Sequence, residues 1–557
     1  MRYPTSLAAA LFAATLASTF TIAASAQTTW ASTATKGISV AQLESAADYG
    51  PLPSDQAITV RVALKLQNQP ALNTYIRNIN DPTNPLYGQS LTPAQFAAAY
   101  APSTSQAQQV VSYLQGAGFT NVTVEPNNLI IGADGTVAQA SAAFNTPIEQ
   151  FAQFGNLVYG NTAPAQVPAS LGSIVGAVLG LNSIGQMKPT LVKQSAVSAP
   201  QYAVSYTPQN FWQIYSANDV PAASKATVAV IAEGDLSGVL QDFNAAEASW
   251  GFPRFPVTVV PVGLASTDTS GADEWDLDTQ YSTGMAGGLV KHLYPYDSTS
   301  LTDSDLALAF SRWVTDDKAR AANASFGEGE AFPYIDGSML VDDELFAEGA
   351  AQGQTLFSFT GDTGSFCPVG VGTNGVPAGV PMVNYPASSQ YVTAVGGTTL
   401  LTNSDGNYDT EVAWNAGGGG ISQFEYSPYW QTAANVPSSA DSAKGMPDVA
   451  MDADPESGAN VYVNGAWEGV GGTSLSSPLA MGVWARMISA NAKLGFAPIT
   501  FYSLYDGTGV LGSYPNGGFH DILVGANGFY TALPGWDYTT GLGTLWVDQL
   551  YNDLKKR

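Results

Sequence analysis

The chain has 557 residues, a formal net charge of −26, 45% hydrophobic residues, 57 Gly and 33 Pro. This length predicts two or more domains with ample core, and the composition is that of a loop-rich globular protein rather than a disordered or fibrous one. The acid surplus argues against nucleic acid and anionic membranes as partners, and the single cysteine, Cys367, excludes an intramolecular disulfide.

The first 26 residues read as an export signal. Arg2 gives the positive start, Leu7 to Ala24 an apolar run broken by Thr and Ser, and Ala24-Ser25-Ala26 a small-residue cleavage site. The product is therefore expected outside the cytoplasm, extracellular or periplasmic. Residues 27–185 form the next unit. Residues 57–66 alternate like a strand, helical patterns follow at 71–80, 92–101 and 105–114, and strand-like pieces lie at 121–125 and 128–132. A helix at 136–144 and an alternating stretch at 149–159 complete a β-α-β-β-α-β tendency, a small α+β, ferredoxin-like domain. The stretch 182–205 carries no acidic residue and is rich in Ser, Gln, Ala and Pro. It reads as a linker, taken as 186–205, and as a processing site.

Beyond it, strand-like runs at 226–232, 255–263, 289–294, 320–326, 355–360 and 391–396 alternate with helix candidates at 238–249, 271–285, 304–316 and 341–352. That rhythm predicts a mostly parallel sheet covered on both faces, with functional residues at the carboxyl ends of strands. Charge is divided unevenly. Up to residue 199 there are seven Lys/Arg and seven Asp/Glu, and from residue 200 onward 12 and 38. Such a surface repels itself less as carboxylates protonate, which fits an acidic working environment, although acidity for solubility is the plainer reading.

The chemistry centres on Gly471-Gly472-Thr473-Ser474, just before a helix-ready run. A small-residue turn leaves the Ser474 hydroxyl approachable and a helix start presents free N–H groups, although Gly-Thr-Ser also occurs as a capped turn. The chain has two histidines, His292 and His520, and neither stands in a recognisable triad motif. A base is then sought among carboxylates. Glu274 and Asp278 are four residues apart, so on a helix they share a face and a proton, unless they simply mark an acidic helix start. Asp362, in a Gly-Asp-Thr-Gly turn after an apolar run, is either a turn residue or a carboxyl at the active face.

In order along the chain, these pieces resemble the sedolisins, or serine-carboxyl peptidases, in particular kumamolisin-like proenzymes. The likeness rests on Leu91-Thr92-Pro93, Gly135-Thr136-Val137, the Glu274/Asp278 pair, Ala324-Ser325-Phe326-Gly327, Gly361-Asp362, Tyr391 to Thr398, Pro447-Asp448-Val449, Gly472-Thr473-Ser474 and Phe519-His520-Asp521-Ile522. It implies a subtilisin-like α/β peptidase domain over 206–557, preceded by an inhibitory prodomain. Ser474 would be the nucleophile, Glu274 its base, Asp278 the partner of Glu274, and Asp362 a protonated donor in the oxyanion hole. Ser325, Phe326 and Gly327 would hold an extended substrate by their backbone.

The resemblance also implies one structural Ca²⁺, held by Asp521, Ile522, Leu533, Gly535 and Asp537, where Leu533 replaces the family's glycine. Polypeptide substrates and the chain's own prodomain are the implied partners, with a monomer expected. Acidification is expected to weaken the contact between the near-neutral prodomain and the acidic enzyme, permitting self-cleavage in the linker. Two alternatives remain open: a neutral subtilase using His292, and a non-catalytic binding protein on a peptidase scaffold.

Overall fold

The computed structural model describes residues 29–38, 47–153, 156–194, 204–366, 380–505 and 517–557. The export signal with its cleavage site, linker residues 195–203 and Cys367 lie outside these described residues.

In the prodomain, β1 (Ala57–Leu64), β2 (Thr120–Val124), β3 (Ile130–Thr136) and β4 (Val175–Leu179) form an antiparallel sheet in the order β2-β3-β1-β4. Alternation in β1 buries Ile58, Val60 and Val62 on one face. The helices are α1 (Gln69–Asn80), α2 (Pro93–Ala99), α3 (Thr104–Gly116) and α4 (Val137–Ala143). Three of them open on a capping box, Thr92 with Gln95, Ser103 with Gln106, and Thr136 with Gln139. The ferredoxin-like topology expected from the sequence is present. One stretch differs: the alternation at 149–159 is a hairpin, Ile148–Gln153 against Asn156–Asn161, in a separate three-stranded sheet with Ala47–Pro51. Period-two patterning marks a pleat but cannot mark a reversal within it.

The peptidase domain is built on a ten-stranded sheet. Its strands are β5 (Thr227–Glu233), β6 (Val260–Val262), β7 (His292–Ser298), β8 (Ala321–Ala324), β9 (Thr355–Phe359), β10 (Val392–Thr402), β11 (Tyr408–Ala413), β12 (Val449–Asp452), β13 (Phe519–His520) and β14 (Thr544–Leu545). They run in the order β6-β7-β5-β8-β9-β10-β12-β14-β13, with β11 hairpinned onto β10. Every neighbour pair is parallel except β10–β11 and β13–β14. Strands β8, β9 and β12 are buried along their whole length, as helices on both faces require. Those helices include α5 (Ser237–Trp250), α6 (Ala272–Met285), α7 (Asp303–Asp316), α8 (Ser338–Ala351) and α9 (Thr473–Ala490). Helix α9 packs along α6, and the approach is close. A Cβ at Gly482 would sit 2.6 Å from the Ser282 carbonyl oxygen, so only glycine fits there.

The two domains share one hydrophobic core, in which Leu72, Ile76, Phe96, Ile130 and Leu179 of the prodomain are continuous with the peptidase interior. Polar contacts align the same face. Leu66 N–H donates to Glu344 Oε1 (3.1 Å), Asn127 Nδ2 to Glu348 Oε2 (2.7 Å) and Tyr391 Oη to Asn73 Oδ1 (2.6 Å). Burial pushes both Glu344 and Glu348 up to about 8. Folding of the proenzyme therefore takes up protons at these two groups. Their contribution is whole below the ordinary carboxyl value of 4.5 and fades as pH rises through about 8. Through these two groups acid favours the folded proenzyme. In the Ser474→Ala background, Glu344→Gln/Glu348→Gln should raise the proenzyme's Tm at pH 8 by at least about 2 °C, with no gain at pH 4, by differential scanning calorimetry.

Candidate active site

Three carboxyl-bearing positions and one serine converge at the carboxyl edge of the sheet. Glu274 and Asp278 stand one turn apart on α6, inside the first turns of a helix that is buried from Glu274 to Met285. Asp362 follows β9, and Ser325–Gly327 follows β8. Ser474 is the second residue of α9, behind Gly472, whose backbone has φ 110°. A Cβ at Gly472 would also lie 2.6 Å from Asp362 Oδ2, so glycine alone lets the turn close on that carboxyl.

Asp362 is clamped by this turn. Its Oδ1 accepts from Thr473 N–H (2.7 Å) and Thr473 Oγ1 (2.8 Å), and its Oδ2 from Thr190 Oγ1 (3.0 Å). Burial outweighs these donors and lifts its pKa to about 6. Asp278 Oδ1 accepts from Ser325 Oγ at 2.6 Å. Ser325 in turn accepts from Asn323 Nδ2 (2.9 Å), and Asn323 Oδ1 accepts from Ser477 Oγ (2.5 Å). The chain Asp278–Ser325–Asn323–Ser477 thus ties the two helices together through the end of β8.

Glu274 Oε1, Asp278 Oδ2 and Ser474 Oγ are buried without an aligned hydrogen-bond partner among the described residues. Burial, then the charge of Asp278, raises Glu274 well above the ordinary carboxyl range, and the nearby Ser474 hydroxyl offsets part of this. Burial likewise raises Asp278 to about 8. Two carboxyls this close titrate as a pair and hold a proton between them.

The linker occupies the cleft. Lys188 N–H donates to the Gly327 carbonyl (3.0 Å), and Gly327 N–H donates back to the Lys188 carbonyl (3.1 Å). Val192–Lys193 pairs antiparallel with Gly471–Val470, and Leu191 N–H donates to Glu274 Oε2 at 3.0 Å. Lys193 Nζ reaches Asp273 (2.8 Å) and Glu468 (2.7 Å). So 186–194 is not a free surface segment: backbone pairing at Lys188 and at Val192–Lys193 holds it in the cleft, where Ser474 is fully buried.

The predicted site residues are accordingly placed as follows. Ser474, Glu274, Asp278 and Asp362 come together. Gly327 meets the cleft strand through its backbone, the Ser325 hydroxyl is turned to Asp278, and the Phe326 ring is buried in the core against Trp275 and Phe310. Sequence reasoning missed Thr473, Asn323, Ser477, Thr190 and Leu191. Thr473 lay inside the Gly472-Thr473-Ser474 motif without a role of its own, and the others bond to positions far apart in the chain.

His292 opens β7, at the amino edge of the parallel sheet and hence opposite Asp362. Its Nε2 meets Thr258 Oγ1 (2.8 Å) and its ring stacks on Tyr294. His520 is buried between Tyr408 and Trp546, and burial drops it to about 3. Neither imidazole serves Ser474, so the neutral-subtilase alternative lacks its base.

At the C-terminal loop, Gly535 N–H donates to Asp521 Oδ2 (2.9 Å), while Leu533 N–H (3.1 Å) and Thr540 N–H (2.9 Å) donate to Asp537. Burial raises the pKa of both carboxyls, and each Asp521 proton is held more tightly by the Asp537 charge. Ile522 is buried against Ala413 and Ala532, and Leu533 lies exposed. The loop thus brings together two mutually repelling carboxylates from positions 521 and 537, oxygen donors of the kind a hard cation takes.

Comparison with known proteins extends over both domains. Residues 44–184 match the family described as pro-kumamolisin, activation domain, and residues 278–503 match the subtilase family. The chain is 39% identical over 558 residues to sedolisin of Pseudomonas sp. (strain 101), spanning 95% of this chain and 93% of that protein. It is 36% identical over 556 residues to xanthomonalisin of Xanthomonas sp. (strain T-22), spanning 90% and 66%. A solved structure of Pseudomonas sedolisin, a serine-carboxyl proteinase complexed with two molecules of pseudo-iodotyrostatin, superposes with a TM-score of 0.59 at 36% identity. That match covers 64% of this chain and 99% of that one. Likeness of this extent, activation segment included, makes the chain a member of the sedolisin family: a serine-carboxyl peptidase that carries its own activation domain.

Proposed function

We propose that the protein is an exported endopeptidase that works in acid, is made as an inactive proenzyme, and processes itself. The observation that carries this reading is the buried Glu274/Asp278 pair against Ser474, with no histidine within reach. The Ser474 hydroxyl attacks the substrate carbonyl while its proton passes to Glu274. Asp278 shares the pair's existing proton and keeps Glu274 oriented, and the Ser325 hydroxyl holds Asp278 in turn. Asp362 donates a hydrogen bond to the developing oxyanion. It can do so only when protonated, because a carboxylate there would repel the charge it must stabilise.

The pH dependence follows from that requirement. Asp362 has a pKa raised to about 6, so its donor form gains population as pH falls below that value and is lost above it. Hydrolysis of denatured casein should therefore rise as pH falls through about 6 and be nearly absent at pH 8. Asp362→Asn, a donor at every pH, should lower kcat by about 10²–10³-fold while flattening this limb of the profile. Ser474→Ala and Glu274→Gln should each lower kcat/KM by about 10³-fold or more, and residual activity near wild type in either would overturn the mechanism.

Asp521 and Asp537, with the carbonyls of Ile522, Leu533 and Gly535, would hold one Ca²⁺. The ion would neutralise the two carboxylates and fasten the C-terminal loop. Stripping with a chelator should lower Tm, Ca²⁺ but not an equal concentration of Mg²⁺ should restore it, and Asp521→Asn should abolish that response. Export rests on Arg2, the apolar run from Leu7 to Ala24 and Ala24-Ser25-Ala26, and a monomer is the expected form.

A further inference from the structure

The register of the linker in the cleft singles out one peptide bond, and we infer that the proenzyme first cuts itself between Thr190 and Leu191. The inference rests on the peptidase reading above and goes beyond it by naming the chain's own first substrate.

Two short ladders hold the linker on either side of Ser474. On the amino side Lys188 exchanges both backbone hydrogen bonds with Gly327. On the carboxyl side Val192 and Lys193 pair with Gly471 and Val470, and Gln194 N–H continues the ladder to the Gly469 carbonyl at 2.9 Å. An extended chain held from both flanks is how a cleft presents one bond for attack. Pro189, Thr190 and Leu191 span the gap between the ladders.

Chemistry then selects within these three. The base that takes the serine proton must return it to the departing nitrogen, so that nitrogen has to face the base. Pro189 has no N–H. The Leu191 N–H lies 3.0 Å from Glu274 Oε2, which makes Leu191 nitrogen the leaving group and Thr190 the acyl residue. The other side agrees, because Thr190 Oγ1 donates to Asp362 Oδ2 at 3.0 Å and so anchors the acyl residue beside the oxyanion carboxyl. Lys193, paired with Asp273 and Glu468, anchors the leaving side.

The step balances. Ser474 Oγ bonds to the Thr190 carbonyl carbon as its proton moves to Glu274. The Thr190–Leu191 carbon–nitrogen bond breaks as Glu274 returns that proton to the Leu191 nitrogen. Water then attacks the Thr190 ester, giving a proton to Glu274 that restores the Ser474 hydroxyl, and Thr190 leaves as a carboxylic acid. Because the segment belongs to the same chain and already lies in the cleft, the cut is intramolecular.

The test is a time course of the purified full-length proenzyme brought to about pH 4, read by intact mass and N-terminal sequencing of the earliest products. A prodomain fragment ending at Thr190 and an enzyme beginning at Leu191, formed at a rate independent of protein concentration, are expected. Leu191→Pro, which removes the N–H facing Glu274, should slow that cut by at least about 100-fold, while Leu191→Ala should still be cut after Thr190. A first cut elsewhere, such as within 195–205, would overturn the assignment even if Leu191→Pro fails to fold. So would an unchanged rate in Leu191→Pro, and a rate proportional to concentration would overturn the intramolecular route. Casein hydrolysis in the same samples separates the two readings. Ser474-dependent hydrolysis with a different first cut removes only the bond assignment, whereas no hydrolysis at any pH removes the peptidase reading as well.

Discussion

The close packing of α6 along α9 is the constraint from which the site follows. Gly482 lets the helix that begins with Ser474 press against the backbone of the helix that carries Glu274 and Asp278. That contact removes water from both carboxyls, and desolvation is the first cause of their raised proton affinity. A pair of carboxyls in water would ionise independently in moderate acid. Buried together one turn apart, they hold a proton and can accept another from a hydroxyl beside them, which is the work an imidazole does in a histidine-based site.

Burial acts on Asp362 in the same direction and to a smaller extent, because Thr473 and Thr190 donate to it and favour its charged form. The oxyanion carboxyl therefore changes state at lower pH, about 6, than Asp278, at about 8. One physical effect, offset at each group by hydrogen-bond donors and reinforced at Glu274 by the Asp278 charge, separates the roles of three chemically similar groups. Long-range charge has less influence, because the site depends on what lies within hydrogen-bond reach.

The prodomain shares a continuous core with the enzyme and ends in a strand laid through the cleft. Docking and occlusion are thus parts of one surface. On that surface Glu344 and Glu348 accept from Leu66 and Asn127, and burial raises both to about 8, so acid favours the folded proenzyme at these groups.

Much of this was legible in the chain. Alternation in Ala57–Leu64 and the helical patterns that follow specified the prodomain's elements, since these depend on neighbours within a turn or a pleat. Apolar runs alternating with helices announced the covered parallel sheet, and the spacing of Glu274 and Asp278 placed them on one face whatever the fold. The hairpin within 149–159 was hidden because pleat periodicity carries no mark of a reversal. The Ser325 hydroxyl's turn to Asp278, the support from Asn323 and Ser477, and the Thr190 bond to Asp362 were hidden for a different reason. Each spans a separation that only folding closes. The sequence by itself determined which groups could react and which elements would carry them, because residue type and local spacing are chain properties. Only the tertiary structure decided that Ser474 meets carboxyls and no histidine, that burial sets their protonation, and that the chain's own linker fills the cleft, because proximity and desolvation arise when distant segments pack together.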